Sequence, residues 1–195
     1  MTFNSKFHAL LRRSRTALHY GSKNGVGALA ALAVQKLRGN GGLLGKTRII
    51  QHYDFVHNRP VGAPIAPGSV PRNTINWVVP PFGYGSGGHL NIFRFAQFLE
   101  KEGFDCRIVV VGEPQPLSAE QARKQIRDWF FPLKGDIYLG IESAAPAHVT
   151  IATSWNSAYY VRRFQSTVHR CYFVQDYEPY FFAAGAEYAW AEETY

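Results

Sequence analysis

Gly83, Gly85, Gly87 and Gly88 lie close together, with Ser86 between them and His89 directly after. Glycine lets a backbone approach a ligand closely. Set between a strand end and a helix start, such a run aims backbone N–H groups and the positive end of a helix dipole at an anion. Gly85, Ser86, Gly87, Gly88 and His89 are therefore candidates to face a phosphate or diphosphate. Gly83, Gly85 and Gly88 also fit the spacing G-x-G-x-x-G, and Glu113 stands where the ribose-binding acid of a dinucleotide site would be. The Pro80-Pro81-Phe82 insertion speaks against that NAD(P)-dependent oxidoreductase reading, because the fingerprint turn follows its strand directly. A third possibility leaves the glycines a packing role alone.

A second group of candidates comes from the ends of later strands: Glu142 and Ser143, then Ser154, Trp155 and Asn156, then Asp176, Tyr177 and Glu178. Asp176 and Glu178 can accept hydrogen bonds from sugar hydroxyls, and Trp155 or Tyr177 can stack on a sugar face. The competing account makes the two acids caps of the last helix and puts Trp155 in the core. His89 can donate to a phosphate or can simply cap its helix.

The elements that must position these residues are legible as alternating strands and helices. Residues 75–79 are apolar and β-branched, a buried strand ended by Pro80 and Pro81, which lack the ladder N–H. A helix over 89–102 follows, stopped by Gly103. Strands are expected at 107–111, 136–141, 149–154 and 171–175. Helices are expected at 118–130, at 155–164 and from Pro179, a favoured first helical residue. This alternation predicts an α/β, Rossmann-like parallel sheet with helices on both faces. Ligands of such sheets bind beyond the C-terminal strand ends, so the residues named above should share one rim.

Composition sets the outer bounds. The 195 residues are 46% apolar and 15% aromatic, enough for one domain with a real core. Cys106 and Cys171 both fall in expected strands, which predicts two buried free thiols in a reducing compartment. No metal-ligand pattern is present and no cofactor is expected. The net charge of +7 is uneven: residues 1–72 hold 11 Lys or Arg against one acid, Asp54, and residues 73–195 hold 10 against 13. The basic character belongs to an N-terminal extension, which argues against a globular nucleic-acid surface.

Two helical patterns run through residues 1–38. Phe3, Phe7, Leu10, Leu11 and Leu18 recur among Lys6, Arg12, Arg13 and Arg15, and residues 26–37 are rich in alanine and leucine. The second is too short to span a bilayer and has no cleavage site of a signal peptide. The segment suits either a peripheral contact with an anionic membrane or an arm packed on a neighbouring domain. Residues 39–73, rich in Gly, Pro and Asn, read as linker, with Tyr53, His57 and Arg59 as loop residues. The expected organisation is an extension over 1–72 and a Rossmann-like domain over 73–195.

Two stretches carry a resemblance: INWVVPPFGYGSGGHLNIFRFAQFLEKEGFDCRIVVVG at 75–112, and IATSWNSAYYVRRF with YFVQDYEPYFFAAGAEYAWAEETY at 151–164 and 172–195. Together they resemble the N-terminal domain of WsaF-type rhamnosyltransferases, retaining glycosyltransferases of the GT-B fold. The resemblance implies a cytoplasmic enzyme, peripheral on the inner face of the membrane if the basic segment docks there. Its donor would be a nucleotide sugar, dTDP-rhamnose, and its acceptor a glycan of a cell-surface polysaccharide. The N-terminal domain would hold the acceptor. Gly87 and Gly88 match the turn facing the donor diphosphate, and Asp176, Tyr177 and Glu178 match the segment at the domain cleft. No catalytic base or nucleophile is implied, because retention in these enzymes relies on the departing diphosphate. A GT-B enzyme pairs two α/β domains. The C-terminal one is missing here, so the chain is expected to be an N-terminal portion, inactive alone, or a non-catalytic carbohydrate-binding remnant.

Overall fold

A computed structural model describes residues 53–56, 59–116 and 118–195. The expectations for the basic extension and for His57 lie outside the described residues. Five strands, β1 (Thr74–Val79), β2 (Asp105–Val110), β3 (Ile137–Leu139), β4 (Ala147–Ala152) and β5 (Thr167–Tyr172), form one sheet in the order β3-β2-β1-β4-β5. Every pairing is parallel. Among the described residues four helices accompany them: α1 (Gly87–Lys101), α2 (Ala119–Trp129), α3 (Trp155–Arg163) and α4 (Ala186–Glu192). The α/β, Rossmann-like reading therefore holds.

Strand side chains alternate between the faces, and each face builds its own core. Ile75, Trp77 and Val79 of β1 and Cys106, Ile108 and Val110 of β2 meet Ile92, Phe93 and Ala96 of α1 and Ala122 and Ile126 of α2. On the opposite face Val78, Val109, Val111 and Ala152 meet Tyr159, Tyr160, Val161 and Phe164 of α3. Phe55 joins this second core at 3% exposure, and Val61 bridges to Phe164. Part of the stretch read as linker is thus built into the body. Two buried polar side chains bond across elements: Asn76 donates to the Ala145 carbonyl at 2.8 Å and Thr153 to the Val78 carbonyl at 2.8 Å.

Several local expectations need correction. β5 occupies 167–172, not 171–175. It is an edge strand whose His169, Arg170 and Cys171 face solvent, so its composition does not look buried. Phe173 is apolar because it packs edge-on against Trp77, with ring centroids 5.7 Å apart. Cys171 is consequently exposed, whereas Cys106 is buried and its thiol is pushed up to about 11 by burial. The third strand is shorter than expected and gives way at Gly140 to a 3-10 turn, Ile141–Ser143. No continuous helix starts at Pro179; a 3-10 turn, Glu178–Phe181, precedes α4. Among the described residues no helix is long and apolar enough to cross a membrane.

Candidate functional site

β1 pairs with β2 on one side and β4 on the other. The chain leaves β1 toward β2 and reaches β4 after β3, so the winding reverses at the β1–β4 boundary. The crevice beyond the C-terminal ends at this reversal is where such sheets bind ligands. The glycine turn leaves β1 there, and the N-terminus of α3 follows β4 there.

The two helix starts differ. Ser86 is the N-cap of α1, but no side chain caps it. The first-turn N–H groups of a helix have no partner within it. Gly87 and Gly88 are exposed. A Cβ at Gly87 would meet nothing within 4 Å, and at Gly88 only the Gln175 amide, at 3.6 and 3.8 Å. The glycines here do not seat helix against strand; they keep the space above α1 open. Gly85 has φ +80°, the conformation that bends the loop back to the helix.

α3, by contrast, is occupied by its own chain. Ser157 Oγ accepts from the Thr153 and Ser154 N–H groups, each at 2.9 Å. Glu178 Oε2 accepts from the Trp155 N–H at 3.0 Å. A carboxylate at a helix N-terminus is favourable with the dipole, so Glu178 is a cap, but of α3 and not of the last helix, whose N-cap is Gly185. Ser154 Oγ donates to Asn156 Oδ1 at 2.6 Å. The helix end on this rim that no side chain caps is that of α1.

His89 does not point to a ligand. Nδ1 lies 2.8 Å from Ser86 Oγ and Nε2 lies 3.3 Å from the Pro80 carbonyl. A carbonyl can only accept, so Nε2 carries the proton and Nδ1 accepts from the Ser86 hydroxyl. Burial lowers the imidazole pKa, against a smaller upward pull from Pro80. Neutral His89 braces the turn with both nitrogens committed.

The remaining candidates divide. Asp176 is exposed, though Oδ1 accepts from the Tyr177 N–H at 2.8 Å. Tyr177 donates to Glu192 at 3.3 Å and packs against Tyr180 and Tyr195, at 4.8 and 5.0 Å between centroids. Trp155 is half-buried and packs on the second core against Phe55 and Phe182. Glu142 is not with the others: Arg163, the last residue of α3, donates to it at 3.3 Å. The Arg163 backbone lies about 13.5 Å along α3 from Ser154, at 1.5 Å per residue.

Sequence reasoning missed Gln175, which the structure sets beside Gly88, and the aromatic side chains Tyr84, Tyr180 and Phe181, exposed by 82%, 78% and 64%. Their signal was position alone: all sit in the segments that follow β1 and β5. No three His, Cys, Asp or Glu side chains group as a metal-ligand set among the described residues.

Burial raises the Glu178 pKa, offset in part by the Trp155 N–H and the Tyr172 hydroxyl. The folded state then holds this proton more tightly than the unfolded chain, so the contribution to stability falls as pH rises from the ordinary value of 4.5 through the raised one. Glu178→Gln keeps an acceptor for Trp155 and removes the titration. Unfolding curves across that window should be flatter for the variant; an unchanged slope rejects this account.

Fold and rim define a doubly wound α/β domain with an open, uncapped helix start at its switch point. Over 143 residues the chain is 32% identical to "O-antigen biosynthesis protein RfbC" of Myxococcus xanthus, a match covering 63% of this chain. It spans about 10% of that protein's length. No family model and no solved structure matches the chain.

Proposed function

We propose that the α/β body is the acceptor-side half of a glycosyltransferase of polysaccharide biosynthesis, moving L-rhamnose from dTDP-rhamnose to a surface glycan. The observation that carries this reading is the uncapped start of α1 at the switch point, with Gly87 and Gly88 leaving room for a diphosphate. The likeness to a protein named for O-antigen biosynthesis supports the pathway class. The donor rests on the resemblance of the two sequence stretches. In this reading the α1 N–H groups stabilise charge building on the departing diphosphate. Asp176 and the exposed aromatic rings beyond β5 receive the acceptor.

The described residues hold one α/β body, whereas GT-B chemistry takes place between two. The 195-residue chain alone should therefore transfer no sugar, and a pairing with a donor-side body should. Mass spectrometry of an oligosaccharide acceptor incubated with dTDP-rhamnose reads a deoxyhexose increment. An increment from the chain alone rejects the two-body requirement. Saturable quenching by NADH, with no transfer in the paired form, rejects the glycosyltransferase reading in favour of the dinucleotide one.

The extension supplies a second proposal. Residues 1–72 carry 11 basic residues and one acid, and each Lys or Arg near an anionic leaflet contributes about 1 kcal/mol, screened by salt. The full chain should sediment with anionic vesicles at low salt more than a form starting at residue 73 does. Equal sedimentation rejects the peripheral membrane contact through residues 1–38.

A further inference from the structure

At the opposite edge of the sheet, near the N-terminal ends of β4 and β5, lies a cavity of about 400 Å³ lined by Pro67, Gly68, Arg72, His148, Val168 and His169. It is on the order of 15 Å from the rim, taking about 3.3 Å per residue from His148 to the end of β4. Nothing in the proposed transfer reaction uses it.

The lining decides what can enter. No carboxylate borders the cavity, and Arg72 would repel a cation. Pro67 and Val168 are the aliphatic side chains of the wall. What the wall offers is hydrogen-bond donors and positive charge. Arg72 is exposed; its planar fork matches the oxygens of a carboxylate or phosphate. The His148 and His169 rings meet edge to face, with centroids 5.0 Å apart.

The His148 ring lines the wall beside Arg72, and its Nδ1 is enclosed with no hydrogen-bond partner among the described residues. The preceding turn contributes too: Ser69 N–H bonds to the Ala66 carbonyl at 3.1 Å, with Pro67 and Gly68 between them and Gly68 at φ +91°. Its Pro-Gly centre fixes the mouth of the cavity.

We propose that this cavity binds a small molecule through an oxyanion, a phosphate ester or a carboxylate, gripped by Arg72 with His148 and His169 donating. The cavity volume is in the range of small-ligand sites, so the anion would be the head of a larger molecule.

The test is a histidine NMR titration of the full chain at constant pH and ionic strength. The seven histidines are assigned through single His→Gln variants. Glucose 1-phosphate and glucuronate separate the two oxyanion sources, and glucose is the neutral control. With at least one of the two anions, the His148 and His169 signals should shift and saturate. Arg72→Ala should weaken that binding at least ten-fold with an unchanged melting temperature, because Arg72 lies on the surface. The proposal is overturned by equal affinity in Arg72→Ala, by an equal response to glucose, or by uniform drift of all histidines. Movement confined to His89, which reports the rim, also overturns it and leaves the transferase reading untouched.

Discussion

Gly135→Ala is expected to unfold the α/β body at ordinary growth temperatures. A Cβ built on Gly135 would lie 1.8 Å from the Cys106 carbonyl oxygen and 2.6 Å from its carbon. Both belong to β2 backbone paired within the sheet, not to a side chain that can swing away. Relief requires moving the segment before β3 off the sheet. That segment is held on both sides: the Gly135 N–H donates to Glu100 at 2.8 Å and its carbonyl accepts from Arg123 at 2.9 Å. Overpacking alone costs about 1–3 kcal/mol. A backbone clash that also loosens two anchored hydrogen bonds should reach at least about 3 kcal/mol, a large part of the stability of a domain this size. Circular dichroism melting should show a fall of about 10 °C or more. A melting temperature within about 2 °C of the parent would mean that the approach of Gly135 to β2 is wrong.

Gly87→Val is expected to do the reverse, sparing the fold and removing activity. The position is helical, has no positive φ, and a Cβ there meets nothing within 4 Å. Strain and packing loss are therefore absent, and stability should stay within about 0.5 kcal/mol. What the valine fills is the open space over the first turn of α1. If a leaving diphosphate gathers the N–H groups there, the loss should approach the effect of an oxyanion donor, about 3–4 kcal/mol or some 10²–10³-fold in turnover. His89→Ala should cost less, because the helix end and its N–H groups remain when only the brace to Ser86 and Pro80 is lost. Gly85→Ala gives the opposite control. Its φ of +80° makes any side chain there cost about 1–2 kcal/mol of stability, so its melting temperature should fall where that of Gly87→Val does not. Melting temperature and deoxyhexose transfer are measured on the same preparation of the two-body enzyme. Normal turnover in Gly87→Val rejects the diphosphate assignment; loss in proportion to unfolded protein rejects the openness of the turn.

What the sequence determined by itself is the alternation and its consequences. The apolar run at Ile75 to Val79, the glycine turn after it and the amphipathic helix behind it are local patterns. Hydrophobic period, proline stops and glycine caps report local backbone choices, so β1, α1 and the parallel class were legible. The rim followed, because a parallel sheet fixes which strand ends lie together. The edge strand was less legible. Thr167 to Tyr172 owes its place to pairing with β4, and pairing partners are not written into local composition.

Tertiary structure alone decided which rim residues stay open and which are consumed by the fold. Glu178 lies 23 residues from Trp155 in sequence, and only the return of the chain past α3 makes it that helix's cap. Glu142 follows a strand as Ser154 does, yet the ion pair with Arg163 takes it elsewhere. His89 reads as a phosphate donor until the Pro80 carbonyl and Ser86 claim both nitrogens. Gln175 and Gly135 carried no local mark, because one is defined by its approach to Gly88 and the other by its approach to Cys106. Each of these facts depends on a distance between segments remote in sequence. Local propensity cannot encode such distances, which exist only once the sheet has closed its long-range pairings.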